Sequence, residues 1–567
     1  MSPRRSPANP RKLLILGLAL LTGCAPGGDL ALELLVAGQP LGPLGPAAQP
    51  GQPPEGMDAF RLCVQRQSGE ALACQDFTDL AATHYRIDGL PIGEARVVSF
   101  QGYTLSSGEA TWCGRATGVD IRDGATTSVS MLLTRCGDVT QTVGLPTHAR
   151  MLHSATRTAG GPVLLAGGYD RHGASAECAQ ACRALQATSA LELYDPASGT
   201  FAALTQGLTH PRGLHAALAL QDGRVLLAGG CEVASLQGAF GDPEQPGSPL
   251  ACLRPGEAAT SLEIVDPLTG AVERQALPFT LFAAAMPAGP DALLLLGGLD
   301  EAGQPTRRAL LVQVTPEGVA IVARDDALGA PRQGALAIPF SSPGASPVEA
   351  LVLGGSAPTS TEDPGPFAEV LVVQDGELLS RVPRFVDETY ADGLPVVLAA
   401  GDRVGPGQVL ATGGVFPARF LSQDTPFVPR PLESAGLADL RLDRLRMLDA
   451  DHRLLIARAL HTCTAFGREG RALVAGGLDA RSNDAELYYR ASRTLEEWDQ
   501  AEEGFSLRWL HGAPVELGVA RAGHTATLLP DGTLLFVGGT DGTLVHTSAE
   551  LWNPAPSSLE ADGLPVP

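Results

Sequence analysis

The chain has 567 residues, which is too long for one small domain, so we expect two domains, one of them large. Hydrophobic residues make up 44% of the chain and charged residues 18%, a balance that suits a packed globular protein and excludes a disordered one. The formal net charge of −22 argues against a nucleic-acid partner, because an acidic surface cannot replace the counterions of a phosphate backbone.

Residues 1–24 read as a targeting segment. Four basic residues precede the apolar run 13–21, which is too short to span a bilayer but has the length of a signal-peptide core. The run ends in Leu-Thr-Gly before Cys24, and this ending resembles the lipobox of bacterial lipoproteins. The resemblance implies that Cys24 is acylated and becomes the mature N-terminus. The alternative is an ordinary signal peptide in which Cys24 is incidental.

The membrane is therefore an expected partner, reached through the lipid on Cys24. The next residue is Ala25 and not Asp, which in Gram-negative lipoproteins implies sorting to the outer membrane. No later stretch reaches 18 apolar residues, so we expect no transmembrane helix. These observations predict an exported protein that is lipid-anchored to the bacterial cell envelope.

The other nine cysteines fit an exported chain, because pairing is the default in an oxidising compartment. The pairs we expect are Cys63–Cys74, Cys113–Cys136, Cys231–Cys252 and Cys178–Cys182. The alternative for the last pair is a metal or redox site, although no nearby histidine or second cysteine pair completes a ligand set. Cys463 is left over and is predicted to be a buried thiol.

Residues 25–137 predict a small β-domain with an internal Pro/Gly-rich loop over 38–56. Short segments with period-two alternation, at 60–64, 95–100 and 127–133, are strand-like. Their pattern resembles the Ig-like or transthyretin-like sandwiches of surface lipoproteins. Such a domain would serve as a spacer between the membrane and the next domain.

Seven short apolar runs that end in Gly-Gly recur about every 60 residues, which indicates an internal repeat. The runs are 163–168, 225–230, 293–298, 351–355, 409–414, 473–477 and 534–539. They do not alternate, so each predicts a strand that is covered on both faces. The glycine pair would permit a backbone conformation and a close approach that a Cβ atom would block.

Two further features repeat around these runs. Arg-x-x-His precedes four of them, as Arg150/His153, Arg212/His215, Arg458/His461 and Arg521/His524, while Arg332 keeps the arginine alone. A third strand with a glutamate two residues before an apolar or aromatic residue follows, at Glu192, Glu263, Glu486 and Glu550, with Glu369 a weaker match.

This order resembles the kelch repeat, which implies a β-propeller over 138–567. Seven blades are expected, although the repeat is degenerate in the middle three. Insertions at 169–190, 231–260, 415–455 and 490–518 should gather mostly on one face of the disc. Residues 139–146 align with the segment after each third strand, so they would add the outer strand to the last blade and close the ring.

The repeated arginines and histidines have two interpretations. A repeated residue usually serves the repeat, so we expect each arginine to pair with a glutamate and each histidine to fill a hydrogen-bonded inner-strand site. The alternative is a ring around a central channel that binds an anion or a metal.

Galactose-oxidase-like enzymes share the kelch propeller, and that resemblance would imply a copper site with Tyr and His ligands and a Cys–Tyr crosslink. No cysteine here lies in a setting for that crosslink, and no nucleophile elbow, zinc helix or P-loop motif appears. We therefore predict no enzymatic activity and no cofactor. The expected function is a membrane-anchored binding or scaffold protein that recognises a protein or glycan through propeller loops. The alternatives are a galactose-oxidase-like or other envelope enzyme, and a purely structural envelope lipoprotein.

Overall fold

The fold is nearly all-β in this computed structural model. The structure describes residues 27–36, 56–80, 85–174, 183–235, 250–341, 347–355, 368–374, 377–382, 384–385, 397–415, 431–467, 470–483 and 486–554. The predicted signal segment with Cys24, most of the Pro/Gly-rich loop, and both Cys178 and Cys182 lie outside these residues. None of the described residues forms a helix long and apolar enough to cross a membrane.

Seven strands form the first structural unit. They are β1 (Gly27–Val36), β2 (Ala59–Gln65), β3 (Ala71–Phe77), β4 (Tyr85–Pro91), β5 (Gly93–Tyr103), β6 (Ala110–Ile121) and β7 (Thr126–Arg135). Their hydrogen-bonded order is β3-β2-β5-β6-β7-β1-β4, with β1 parallel to β7. β6 and β7 pair only at Trp112–Arg135 and Cys113–Thr134, so the sheet splits there into layers of four and three strands.

The two layers share one core, which makes the unit a β-sandwich. Phe60 of one layer meets Tyr85 of the other edge to face, with 4.6 Å between ring centroids, and Trp112 and Met131 are buried in the same cluster. The disulfides Cys63–Cys74 and Cys113–Cys136 confirm two predicted pairs. The boundary that we placed at residues 137 and 138 stays a prediction.

Most of the remaining strands build seven blades. Blade 1 contains β9 (Ser154–Arg157), β10 (Val163–Ala166), β13 (Leu191–Asp195) and β14 (Thr200–Ala203). Blade 2 contains β15 (Ala216–Ala219), β16 (Val225–Ala228), β19 (Ser261–Val265) and β20 (Val272–Ala276), with a short 3-10 helix at Gly256–Thr260 before β19. Blade 3 contains β21 (Ala284–Gly289), β22 (Ala292–Leu296), β23 (Ala309–Thr315) and β24 (Gly318–Arg324).

The later blades follow the same order. Blade 4 contains β25 (Leu336–Pro339), β26 (Val348–Leu353), β27 (Ala368–Gln374) and β28 (Glu377–Arg381). Blade 5 contains β30 (Ala400–Gly405), β31 (Gln408–Thr412), β32 (Ala435–Asp439) and β33 (Arg444–Met447), with β29 (Arg384–Phe385) added outside β33. Blade 6 contains β34 (Thr462–Ala465), β35 (Arg471–Ala475), β38 (Leu495–Asp499) and β39 (Gly504–Leu507). Blade 7 contains β42 (Thr525–Leu528), β43 (Leu534–Val537), β44 (Ala549–Trp552) and β8 (Val139–Gln141).

The predicted fold class, a kelch-type propeller after a small β-sandwich, is confirmed. The innermost strand of each blade contacts the innermost strands of both neighbours, so the seven form a closed ring. Closure comes from β8, which precedes blade 1 in the chain and pairs with β44 through Thr140 and Leu551. The ring therefore presents no free sheet edge at the junction of the first and last blades.

The glycine pairs stand where each blade meets the next. Gly167 and Gly168 have φ values of 58° and 89°, and Gly168 N–H donates to the carbonyl of Arg212 in the next blade at 2.8 Å. A Cβ atom on Gly167 would overlap that carbonyl oxygen. The same contact recurs at the other described glycine pairs whose following blade carries the arginine. Both predicted reasons for the glycines, the left-handed backbone and the close approach, therefore apply together.

These contacts define two faces of the disc. The diglycine face carries the glycine pairs and the Arg-x-x-His segments, and the hairpin face carries the turns between first and second strands. The sandwich lies on the hairpin face, where Thr117 Oγ1 donates to the carbonyl of Pro530 at 3.3 Å. Leu132 packs into the cluster shared by blades 1 and 7, and Asn553 Nδ2 donates to Thr134 Oγ1 at 2.8 Å.

The insertions form sheets of their own on the diglycine face. Strands β11 (Tyr169–Ala174), β12 (Arg183–Ala187), β17 (Val233–Ser235) and β18 (Ala251–Arg254) make one four-stranded sheet from the insertions of blades 1 and 2. We call it the cross-blade sheet. The disulfide Cys231–Cys252 lies within it and confirms a third predicted pair. In blade 6, β36 (Leu478–Asn483) and β37 (Glu486–Ala491) form a two-stranded ribbon.

Two predicted insertions were wrong. Much of 415–455 and of 490–518 is blade structure, because the third and fourth strands of blade 5 are β32 and β33 and those of blade 6 are β38 and β39. A separate small hairpin, β40 (Trp509–Leu510) and β41 (Ala513–Pro514), follows blade 6. The third strands of these two blades read Ala-Gly-Leu-Ala-Asp and Leu-Glu-Glu-Trp-Asp, which are neither continuous apolar runs nor regular alternations, so the sequence pattern did not identify them as strands.

Candidate functional site

Five blades contain a buried arginine that pairs with a glutamate on the third strand. The pairs are Arg150–Glu192, Arg212–Glu263, Arg332–Glu369, Arg458–Glu496 and Arg521–Glu550. In blade 2, Arg212 Nη2 lies 2.5 Å from Glu263 Oε1 and Nη1 donates to the carbonyl of Gly229 at 2.9 Å. Burial lowers the pKa of Arg212, and the Glu263 carboxylate opposes that shift. Each charge has several partners, which a buried ion pair needs.

The glutamate of blade 6 was assigned to the wrong residue. Arg458 contacts Glu496 on β38, whereas Glu486 lies on β37 of the inserted ribbon, paired in register with Asn483. The reason is a repeated local sequence, since Glu486-Leu487-Tyr488 matches the Glu-Leu-Tyr run of β13 in blade 1. The true third strand reads Glu496-Glu497-Trp498, and the glutamate two residues before a tryptophan could have identified it.

Two blades lack both members of the pair. In blade 3 the register places Thr280 and Leu310 at the arginine and glutamate positions. In blade 5 Gly436 takes the glutamate position, and the arginine position is Val396, outside the described residues. A lone buried charge would be costly, so the two charges are present or absent together.

The four predicted histidines bridge consecutive blades. His153 Nε2 lies 3.0 Å from Thr525 Oγ1, His215 Nε2 2.8 Å from Ser154 Oγ, and His461 Nε2 2.9 Å from Thr412 Oγ1. His524 and Thr462 make the fourth contact, at 3.2 Å. The histidines therefore join blade 7 to blade 1, blade 1 to blade 2, blade 5 to blade 6 and blade 6 to blade 7.

The environment of these histidines keeps the rings neutral. Burial, together with the nearby charges of Arg212 and Arg150, lowers the pKa of His215 to about 3. Burial lowers the pKa of His153 well below its ordinary value too, with Arg150 adding to the shift. The described residues contain no group of three or more His, Cys, Asp or Glu side chains that could hold a metal. The set does not fit a copper centre, so we derive no chemistry through one.

A ring of left-handed residues surrounds the axis on the diglycine face. The residue before each histidine position has positive φ, at Leu152, Leu214, Phe282, Gly334, Leu398, Leu460 and Gly523. Backbone bonds run from blade to blade around the ring, for example from Leu214 N–H to the Leu152 carbonyl at 3.0 Å and from Gly523 N–H to the Leu460 carbonyl at 2.8 Å. Residues other than glycine rarely adopt this backbone conformation. The leucine and phenylalanine positions of the ring are therefore strained.

Acidic residues follow the glycine pairs on the same face. Five of the seven pairs have an acidic residue two positions later, at Asp170, Glu232, Asp300, Asp479 and Asp541. Two of them shape turns: Asp300 Oδ1 accepts the N–H groups of Ala302 and Gln304 at 2.9 and 2.8 Å, and Asp541 Oδ1 accepts the Thr543 N–H at 2.7 Å. Asp170 and Glu232 lie beside Arg171 and Arg254, and Asp479 is buried. Asp300 and Asp541 therefore contribute the negative charge of this face that has no arginine beside it in the described residues.

Blades 5 and 6 carry a buried polar group that other blades lack. Asp402 on β30 accepts the Ala465 N–H at 2.8 Å, and burial raises its pKa. Cys463 is free and buried, as predicted, and burial raises the pKa of its thiol. A thiol held in its protonated form is a poor nucleophile, so this group does not provide a catalytic cysteine.

One cleft of about 410 Å³ lies between the sandwich and the hairpin face. Thr117 of the sandwich, Arg157 and Thr158 of blade 1, Gln221 of blade 2 and Pro530 of blade 7 are among its lining residues. Arg157 Nη1 donates to the carbonyl of Leu528 at 3.2 Å. The cleft is open to solvent, and it lies on the face opposite the histidines and the cross-blade sheet.

Comparison with known proteins gives no family. No family model matches the chain, and no curated protein sequence matches it. Among solved structures, a novel fungal alcohol oxidase of the AA5 family in complex with copper matches at 14% identity with a TM-score of 0.47, over 74% of this chain and 76% of that chain. The structure of YjhT matches at 12% identity with a TM-score of 0.31, over 70% of this chain and 94% of that chain.

This comparison corrects the prediction that the chain is not an enzyme. The resembled structure is itself an oxidase, so a propeller of this kind does not exclude an oxidoreductase. Likenesses at these TM-scores give the chain neither an activity nor a substrate, and the propeller fold rests on the blades themselves.

Proposed function

We propose that this chain is an envelope-anchored recognition protein that binds a protein partner through its diglycine face. The observation that carries the proposal is the set of exposed or half-buried acidic residues on that face, Asp170, Glu232, Asp300 and Asp541, around an apolar ring. An apolar centre with a charged rim is the usual anatomy of a protein interface. The negative rim favours a partner with a basic surface.

The inserted strands support a polypeptide partner. Within the described residues, the cross-blade sheet ends at β11 and β18, and the ribbon of β36 and β37 pairs with no further strand. Such strand edges can accept an extended segment of another chain. The disulfide Cys231–Cys252 fixes β18 to the start of the insertion. The edge strand β18 is therefore held in place before a partner binds, and binding loses less conformational entropy.

Export and anchoring complete the proposal. The three disulfides indicate an extracellular or periplasmic location. Acylation of Cys24 would then hold the protein at the membrane, while the sandwich, which contacts the hairpin face, leaves the diglycine face open to partners.

Charge-neutral variants test this proposal without changing the turns. The double variant Asp300→Asn/Asp541→Asn keeps the side-chain oxygens that accept backbone N–H groups and removes two negative charges. We expect capture of a specific envelope protein from the native host to weaken about tenfold, and to weaken likewise at high salt. Quantitative pull-down with the full acylated chain measures both effects.

The matched control lies on the hairpin face. Asp266 accepts the Leu268 N–H at 2.9 Å in the same kind of turn, so Asp266→Asn should leave capture unchanged. Equal capture by the wild type and the double variant would reject the diglycine face as the recognition surface.

A galactose-oxidase-like activity is the alternative candidate, although the histidine set does not fit a copper centre. The buried Nδ1 atoms of His153, His215, His461 and His524 have no hydrogen-bond partner among the described residues, but these residues include no group of three that could hold a metal. Metal analysis of the purified full chain, with a peroxide assay on galactose, separates the candidates. Stoichiometric copper with peroxide formation would favour the oxidase over recognition.

A further inference from the structure

The start of β1 lies close to the predicted lipid attachment site. β1 begins at Gly27, three residues after Cys24. A fully extended chain of three residues spans at most about 10 Å. If Cys24 carries the lipid, the first residues of β1 must lie within that distance of the bilayer surface.

The strand register shows which part of the sandwich accompanies them. Gly27 and Gly28 pair with Pro91 and Leu90 of β4, and Asp29 pairs with Thr126 at the start of β7. The turns 91–93 and 122–125 therefore stand beside the beginning of β1. We call these two turns the sandwich tip.

We propose that the sandwich tip lies on the lipid bilayer, with the side chain of Ile92 in the membrane interface. This inference rests on the acylation of Cys24 in the proposed function. Ile92 is 40% exposed and is the large apolar residue exposed on these turns. An exposed aliphatic side chain held within reach of lipid gains by entering the interface.

The charges at the tip are mixed, so the contact does not depend on anionic lipid. Arg122 is 78% exposed and lies 3.8 Å from Asp120, while Arg96 Nη2 donates to the carbonyl of Ile92 at 2.8 Å. Positively and negatively charged side chains therefore lie next to each other at the tip. Binding should therefore change little when the anionic lipid fraction changes.

The tip contact also orients the propeller. The sandwich meets the hairpin face through Thr117, Leu132 and Thr134, whereas the cross-blade sheet is on the opposite face. A bilayer at the tip therefore lies on the hairpin side of the disc. The diglycine face then points away from the lipid.

Depth-sensitive fluorescence tests the contact. The full acylated chain carrying Ile92→Trp is reconstituted in vesicles of phosphatidylethanolamine and phosphatidylglycerol, with or without brominated acyl chains. We expect brominated lipid to quench about half of the emission that the added tryptophan contributes above wild type, since interfacial side chains sit within reach of the upper acyl chain. Val322→Trp is the matched control, because Val322 is 49% exposed on β24 of blade 3, and its added emission should not be quenched.

Mass analysis of the N-terminal peptide in the same sample separates the two proposals. An unmodified Cys24 would reject both the anchoring and the tip contact. An acylated Cys24 with no more quenching at position 92 than at position 322 would reject the tip contact alone. Quenching that disappears when phosphatidylglycerol is omitted would likewise contradict the proposed contact.

Discussion

At the scale of single residues, the arginine–glutamate pairs are the buried charges that recur in the repeat. Arg212 and Glu263 are both fully buried, so each charge depends on the other and on backbone groups. Blade 3 shows the alternative solution, with Thr280 and Leu310 in the same positions. The propeller therefore tolerates removal of the whole pair better than removal of one member.

Breaking the pair of blade 2 tests this statement. Arg212→Thr leaves the Glu263 carboxylate buried and uncompensated, and should lower the free energy of unfolding by about 3–5 kcal/mol. Adding Glu263→Leu, which copies blade 3, should recover a large part of that loss. Urea unfolding followed by circular dichroism measures both. Removal of the exposed pair Arg61–Asp76 is the control and should cost at most about 1 kcal/mol. Additive losses in the double variant would contradict the prediction.

Residue types alone did not identify every member of the repeat. Four of the arginines could be predicted because each belongs to an Arg-x-x-His segment that lies 17 or 18 residues before a glycine pair. Glu496 was missed, since the loop between the second and third strands varies in length and the ribbon contains a competing Glu-Leu-Tyr run at Glu486. The tryptophan two residues after Glu496 favours it in the sequence, and the pairing of β35 with β38 decides between the two glutamates.

At the scale of strands, the second strand of each blade could be predicted from the sequence, whereas the inserted strands could not. Runs such as Val163–Ala166 are buried on both faces, and that double burial requires the continuous apolar sequence that we identified. The cross-blade sheet depends on β12 pairing with β17, for example Leu185 with Ala234, across nearly fifty residues. A periodic pattern in the sequence does not predict which strands of two different insertions will pair.

The closing strand offers a test at this scale. Thr142 N–H donates to the Ala549 carbonyl at 3.3 Å, and strand alternation then directs Thr140 N–H toward β44 as well. Thr140→Pro removes that donor and leaves a carbonyl of β44 without its partner, which should cost about 1–3 kcal/mol. Because β8 joins the two ends of the ring, hydrogen exchange should rise in blades 1 and 7 together.

A proline in an outer strand that does not close the ring is the control. Val322→Pro disrupts β24, which pairs only with β23 of its own blade. Its effect on exchange should stay within blade 3. If Thr140→Pro raised exchange in β8 and β44 alone, the closing role of β8 would be disproved.

At the scale of the whole molecule, the histidines make the joints between blades sensitive to acid. Burial lowers the folded-state pKa of His153, His215, His461 and His524, while the unfolded value is about 6.5. Below about pH 6.5 the unfolded chain binds more protons than the folded chain, so the free energy of unfolding decreases as the pH is lowered. The full stability is present above about pH 6.5, and each histidine removes about 1.4 kcal/mol per pH unit down to its folded pKa.

A histidine variant isolates this effect from the carboxyl groups. Burial raises the pKa of Asp402 and Asp531, and a carboxyl group with a raised folded-state pKa makes stability decrease as the pH rises. The pH dependence of wild-type stability is therefore the sum of these two opposing contributions. His215→Gln keeps a hydrogen-bonding group opposite Ser154 and should reduce the slope between pH 6 and 4 by about one proton. Urea midpoints across this range measure it. An unchanged slope would show that His215 titrates alike in both states.

The position of β8 in the chain sets an order of events during synthesis. The sandwich strands and β8 are made before any blade, whereas the partner of β8 lies at Ala549–Trp552, about four hundred residues later. The last blade thus stays incomplete until β44 has been made. A chain that stopped before β44 would leave β8 without its partner strand, and such an unpaired edge is prone to aggregation.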